Sequence, residues 1–306
     1  GSLTNWNSGA VGNGATASIK SDGTLWEWGY NASGQLGLGN RTNYSSPKQV
    51  GALTNWSKVS VGSSYSTAIK TDGTLWSWGV NNFGQLGLGN QTSYSSPKQV
   101  GALTNWSVVS AGSSCASAIK TDGTLWSWGI NNAGQLGLGN TTYYSSPKQV
   151  GALTNWSKVS NGGSTVAAIK TDGTLWTWGA GNFGGLGLGN TTSYSSPKQV
   201  GSLTNWSSVS AGRYSMITIK TDGTIWSWGI NNYGQAGQGN TTSYSSPKQI
   251  GALTNWLRVA CGYYHVVAIK TDGTLWSWGK NQVGQLGIGN TTDYSSPKQV
   301  GLLTNW

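Results

Sequence analysis

The sequence predicts an all-β protein, a β-propeller of six four-stranded antiparallel blades with one blade per 50-residue repeat. Three observations carry this reading. The 306-residue chain repeats itself six times, at residues 1–50, 51–100, 101–150, 151–200, 201–250 and 251–300. Each repeat reads as four short β-forming runs separated by turn chemistry, and these runs carry apolar residues on both faces. A period of this length belongs to propellers and solenoids. A helical solenoid is excluded by the lack of sustained helical periodicity and by the 48 glycines. The whole chain, 1–306, is therefore read as one propeller domain, with 301–306 as the start of a further repeat or a ring-closing strand.

The second repeat shows the elements in order. Strands are expected at 56–61, 65–70, 74–79 and around 98–101. Thr71-Asp72-Gly73-Thr74 joins the second and third runs through Asp-Gly, whose residues tolerate the positive φ of a tight hairpin. Side chains alternate along a strand, so Trp76 and Trp78 share one face while Leu75 takes the other. A sheet apolar on both faces cannot stand alone. Copies set side by side bury each face against the next, and Trp76 is expected in that contact.

Composition narrows the function. With 19 Trp and only 8% charged residues the chain is too aromatic for disorder and too polar for a bilayer-spanning protein. No apolar stretch is long enough to cross a membrane, and the first ten residues lack the pattern of a signal peptide, so a soluble chain is expected. The net charge of +10 comes largely from the repeat itself, because each copy brings two Lys and one Asp. The other cations, including Lys58, Lys158 and Arg258, are scattered, which does not fit a phosphate-tracking groove. Cys115 and Cys261 fall at different phases of repeats three and six and are expected to stay unbridged, which fits a reducing compartment.

Val59-Ser60-Val61-Gly62, the run Ala68-Ile69-Lys70-Thr71-Asp72-Gly73-Thr74-Leu75-Trp76-Ser77-Trp78-Gly79, and Asn81-Asn82-Phe83-Gly84-Gln85-Leu86-Gly87 resemble the repeats of the regulator of chromosome condensation propeller family. All six repeats share the resemblance. It implies a propeller that grips a partner protein, and some members engage chromatin. The founding activity, guanine-nucleotide exchange on a small GTPase, transfers to no particular residue here. The family commonly has seven blades, whereas this chain holds six repeats and a six-residue tail. Gly185 replaces the usual Gln, Ala236 and Gln238 loosen the motif in repeat five, and the His frequent in the first loop is matched only by His265.

In an antiparallel meander, the loops after the first and third strands share one face of the ring. The opposite face, built from Thr-Asp-Gly-Thr and Leu-Thr-Asn-Trp, hardly changes between repeats. The first face is where repeats differ. Its first loops carry Tyr65, Arg213, Tyr214, Tyr263, Tyr264 and His265, and its companion loops carry Tyr30, Phe83, Phe183, Tyr233 and Lys280. Aromatic side chains give large contact area at little entropic cost, so these residues form the candidate partner-binding surface. Neutral drift at tolerant loop positions explains the same variation.

Catalysis is not expected. Six of eight carboxylates are the hairpin residues, suited to turn hydrogen bonding, and only Glu27, Asp293 and His265 remain as unrepeated candidates. Cys261 and His265 do not make a closed zinc site, and the Gly-rich stretch matches no nucleotide loop. No cofactor or metal is expected. The sequence thus points to a non-enzymatic protein-binding propeller using the variable loops of one face. A structural or consensus-like scaffold without a dedicated ligand is the second reading, and carbohydrate or nucleic-acid binding the third. A monomer is favoured over assembly through ring ends, and no membrane partner is expected.

Overall fold

The computed structural model describes residues 5–306. The described residues form six four-stranded antiparallel sheets, each with its strands in chain order, which makes the architecture a six-bladed β-propeller. The second blade is built from Trp56–Val61, Tyr65–Lys70, Leu75–Gly79 and Tyr94–Gln99. Three of these strands fall where the sequence places them. The fourth begins four residues before the expected segment and has Pro97 inside it. Proline lacks the N–H that a central strand needs, but this strand pairs only with the third and has a free edge.

The hairpin between the second and third strands is closed by side chains as well as backbone. Lys70 N–H donates to Thr74 O (3.0 Å) and Gly73 N–H to Lys70 O (3.0 Å), with Gly73 at φ +75°. Asp72 Oδ1 accepts from the backbone N–H and the hydroxyl of Thr74 (2.9 and 2.7 Å), and the Thr74 hydroxyl accepts from Trp76 Nε1 (2.8 Å). The next repeat then runs across this hairpin. Trp106 N–H donates to Gly73 O (3.1 Å), and a Cβ at Gly73 would stand only 2.1 Å from Thr104 O. Thr-Asp-Gly-Thr and Leu-Thr-Asn-Trp are therefore monotonous because they interlock.

The chain divides into two compact units. One holds the described residues through Asn132 with Asn140–Val159, and the other Ala133–Gly139 with Ser160–Trp306. Within the first, Ile69, Leu75, Leu86 and Val100 of the second blade pack on Trp106, Ala116, Ala118 and Trp128 of the third. Within the other, Ile217, Ile219, Ile225 and Ile250 of the fifth blade meet Trp256, Val266, Ala268 and Trp278 of the sixth. Each blade thus offers branched aliphatics on one face and tryptophans with small residues on the other. Trp128 Nε1 donates to Gln85 O (2.9 Å) and Trp278 Nε1 to Gln235 O (3.0 Å), so the preceding blade satisfies the polar edges of these two indoles.

The two tryptophans of the third strand share a face as expected, both lying about 6 Å from the Trp56 ring, but they are not equally buried. Trp78 is fully enclosed, whereas Trp76 is half-buried beneath the ammonium of Lys70, which stands 3.7 Å from its ring centroid. The residue wedged between blades is therefore Trp78, which corrects the placement expected for Trp76. Trp76 lies at the hairpin end of the strand, where it packs only on the margin of the core contact.

Trp78→Ala is expected to cost about 3–5 kcal/mol and Trp76→Ala distinctly less, in denaturant unfolding of both variants against the parent. Equal losses would remove the distinction between the two tryptophans.

Candidate functional site

The variable loops separate into a sparse set and a dense one. In the first unit Tyr30 is half exposed and Phe83 packs edge-on against Tyr143 with ring centroids 6.0 Å apart. Tyr143 was not singled out from sequence. Its signal was present, since the position after Asn-x-Thr varies as Asn43, Ser93, Tyr143, Ser193, Ser243 and Asp293. Tyr65 does not belong to the surface at all. It is fully buried, and its hydroxyl donates to Cys115 O (2.6 Å) in the next blade. Its ring lies over Gly62, where any side chain would collide with it. The loop position was legible, but the inward direction of the first residue of that strand was not.

In the second unit the predicted residues converge. Phe183 meets Tyr214 (6.0 Å), Tyr233 meets Tyr264 (5.2 Å), and Tyr263 meets Tyr264 (6.3 Å). Arg213 lies between them: Nη1 donates to the Tyr264 hydroxyl (2.5 Å), and the guanidinium sits 5.6 and 5.8 Å from the Tyr214 and Tyr264 rings. The hydrogen bond to Tyr264 raises the Arg213 pKa further, so its charge is permanent. Lys280 Nζ stands 4.8 Å from the Tyr233 centroid and 5.7 Å from that of Tyr264. The companion loop of one blade thus abuts the first loop of the next, which joins the two variable sets into one continuous patch. His265 stands apart, its ring against Gly262 and its pKa lowered by burial.

Phe183 has a backbone unlike that of any other non-glycine among the described residues, with φ +58°. In the second repeat Asn81 ties the loop, its Nδ2 donating to Asn90 O and Thr92 O (3.0 Å each) and its Oδ1 accepting from Leu86 N–H (2.9 Å). There Gln85 Oε1 also accepts from Phe83 N–H (2.9 Å). Repeat four has Gly181 and Gly185 at these two positions. The segment Asn182–Gly184 becomes a 3-10 turn and Phe183 is carried into the left-handed region, 49% exposed. A bulky residue at positive φ is strained, and here the strain presents an aromatic ring beside Tyr214.

The unrepeated acids have structural surroundings. Asp293 Oδ1 accepts from Asn281 N–H (2.6 Å). Glu27 is fully buried where other repeats carry Ser or Thr; Ser77, for example, donates to Leu86 O (2.7 Å). Its Oε2 accepts weakly from Ser66 Oγ (3.4 Å), while its Oε1 has no hydrogen-bond partner. Ser66 also takes Gln35 O (2.9 Å), the carbonyl corresponding to the one that Trp128 uses in the next blade. Burial pushes the Glu27 carboxyl well above its usual range, opposed by hydrogen bonding from Trp78 and Ser66. The hairpin Asp72 goes the other way, lowered chiefly by its hydrogen bonds from Thr74. Neither cysteine is in a disulfide, and burial raises the Cys261 thiol to about 12. Among the described residues no three His, Cys, Asp or Glu side chains are grouped to hold a metal, and no helix is long and apolar enough to cross a membrane.

A six-bladed β-propeller with its side-chain variety gathered in the loops after the first and third strands of its blades defines the class of the protein. The particular family follows from direct comparison. The model of the regulator of chromosome condensation (RCC1) repeat matches residues 22–69, 72–119, 122–169, 172–219, 222–269 and 272–306, and the chain belongs to that family. A second model of the same repeat matches 56–85, 206–235 and 257–285. Each of the first five long matches runs from the hairpin of one blade through the second strand of the next, out of phase with the blades.

Among solved structures, the chain is similar to human WBSCR16, with 24% identity over 97% of this chain and 82% of that one and a TM-score of 0.86. It is similar to Prp20p from Saccharomyces cerevisiae, with 20% identity, coverage of 97% and 77% and a TM-score of 0.86, in a study that describes binding of that protein to Gsp1p and histones. Yeast RCC1 (Prp20) bound to Kap60 is similar at 20% identity, coverage of 97% and 75% and a TM-score of 0.84. At these identities the likeness is one of fold. No curated protein matches the sequence.

Two predictions follow from the local chemistry. Because the folded protein holds Glu27 protonated above the unfolded value, stability falls as pH rises from about 4.5 through the raised folded pKa. Glu27→Ser should flatten that decline and raise the neutral-pH Tm, read by thermal melts across pH 4–9. Phe183→Asn, which tolerates the left-handed region, should stabilise by about 1 kcal/mol while removing the exposed ring. A destabilised variant would mean that packing on Tyr214 outweighs the strain.

Proposed function

We propose that this protein is a non-enzymatic protein-binding propeller whose contact surface is the patch built by Phe183, Tyr214, Arg213, Tyr264, Tyr233 and Lys280. The observation that carries this reading is the continuity of the patch: aromatic rings and two cations from three successive blades touch one another at loop positions where other repeats carry mostly small or aliphatic residues. Tyrosine and arginine are the residues enriched at the energetic centres of interfaces, where a ring buries area with few torsions to freeze. Strain at Phe183 supports the same reading, since backbone outliers persist at ligand-contacting sites when the surroundings hold them.

Family membership supports protein rather than small-molecule recognition, as the relatives described with partners are described with proteins. The repeated lysines do not favour nucleic acid, because Lys70, Lys120 and Lys220 are stacked on Trp76, Trp126 and Trp226 at 3.7, 3.9 and 3.8 Å. Tyr30 and Phe83 form a separate, sparser set on the first unit, and Tyr263 and His265 border the dense patch.

The test is affinity capture from source lysate with three folded proteins: the parent, a variant carrying Arg213→Ala, Tyr214→Ser, Tyr233→Ser and Tyr264→Ser, and a variant carrying Tyr30→Ser and Phe83→Ser. A partner kept by the parent and the last variant but lost by the first is the expected result. No specific partner for any of the three supports the scaffold reading instead.

A further inference from the structure

The two cations of the aromatic patch have no acids beside them. Arg213 and Lys280 stand where every other repeat carries an uncharged residue. The backbone places Lys280, whose N–H donates to Tyr264 O (2.8 Å), and its ammonium lies 5.7 Å from the Tyr264 centroid. The Arg213 guanidinium lies 5.8 Å from the same centroid, so one tyrosine holds two cations. The acids of this unit are spent elsewhere. Asp172, Asp222 and Asp272 lie in the hairpins, each accepting from the threonine two residues on, and Asp293 Oδ1 accepts from Asn281 N–H (2.6 Å). Among the described residues no carboxylate contacts Arg213 or Lys280.

The hydrogen-bonding groups left over around Tyr264 are donors. A guanidinium and an ammonium donate and never accept. Arg213 spends one N–H on the Tyr264 hydroxyl, and that hydroxyl, having accepted, keeps its own hydrogen to donate outward. Among the described residues the Lys280 ammonium has only the rings of Tyr233 and Tyr264 as side-chain partners. An arriving cation would find the tyrosine rings already engaged by cations and would be repelled by both charges. An anion has the opposite experience: it relieves the repulsion between the two cations and completes charge-assisted hydrogen bonds. A nucleic-acid strand needs a run of cations along its backbone and open ring faces for its bases, and two cations lodged over the rings offer neither.

We propose that Arg213, Lys280 and the Tyr264 hydroxyl form an anion receptor whose ligand is an acidic peptide segment of a partner protein, its carboxylates set against the two cations. The proposal rests on the patch being the protein-contact surface, and it assigns the charge of what that surface contacts. Complementary charge of this kind selects the partner and its orientation more than it adds raw affinity.

The probe is a fluorescein-labelled peptide of alternating Glu and Gly, titrated with the protein and followed by anisotropy, with the same peptide carrying Gln for Glu as control. The parent is expected to bind the Glu peptide about tenfold more tightly than the Gln peptide, and less tightly as salt rises. Arg213→Gln and Lys280→Gln should each weaken Glu-peptide binding by about tenfold, and Tyr264→Phe, which keeps the ring, by less. Arg258→Gln removes the same charge from an exposed position on the first strand of the sixth blade and should leave binding unchanged. Equal affinity for the two peptides overturns the proposal, and so does an equal loss in Arg258→Gln, which reduces the attraction to net charge. Tighter binding of a single-stranded oligothymidylate with the same dependence on Arg213 and Lys280 also overturns it, by making nucleic acid the ligand. Affinity capture separates this proposal from the one it rests on. A partner lost by a variant carrying Phe183→Ser, Tyr214→Ser and Tyr233→Ser but kept by one carrying Arg213→Gln and Lys280→Gln upholds the contact surface and overturns its acidic ligand.

Discussion

An indole laid on a glycine is the contact on which this structure depends. Trp128 reaches into the preceding blade over Gly87, where no side chain fits, and hands its N–H to Gln85 O. The glycine serves twice, since φ +73° turns the loop and the missing Cβ admits the ring. Because the rest of the blade face is aliphatic on one side and small on the other, the wedge also sets the spacing at which Ile69 and Leu75 meet Ala116 and Ala118. Association of blades is thereby a local, repeated event, as expected of architectures in which each unit contacts its neighbours.

The same repetition explains how a basic chain of low charge density holds its cations. The second-strand lysines cover half-buried tryptophans, with Lys70 over Trp76 and Lys220 over Trp226, so their ammonium groups act as lids on the indoles at the hairpin end of the blade. The hairpin aspartates spend their oxygens on threonine. Side-chain variety gathers in the opposite loops, where no interlocking demands a fixed residue. Variation there is free until side chains from adjacent blades touch, as Arg213 and Tyr264 do.

Departures from the repeat carry more information than the repeat. Glu27 inserts a carboxyl into a contact designed for a hydroxyl, and burial there pushes its pKa well above the usual carboxylate range. Gly181 and Gly185 remove both side chains that tie the loop in other repeats, and the freed backbone lifts Phe183 into a strained, exposed position. These are single substitutions in a fixed frame, so the physical effect of each is read directly against five other copies.

The sequence by itself determined the number of blades, the positions of three strands in four, the Asp-Gly hairpins and the loops in which variety gathers. All of these are local or periodic properties, repeated six times, and local chemistry suffices for them. Only the tertiary structure decided that Trp78 and not Trp76 is the wedge, that Tyr65 turns inward to Cys115 O, that the fourth strand starts before Pro97, and that Phe183, Arg213, Tyr214, Tyr233, Tyr264 and Lys280 form one patch. Apart from the fourth strand, which pairs only within its own blade, each of those depends on which neighbour lies across a blade boundary, and alternation along a strand carries no record of that distance.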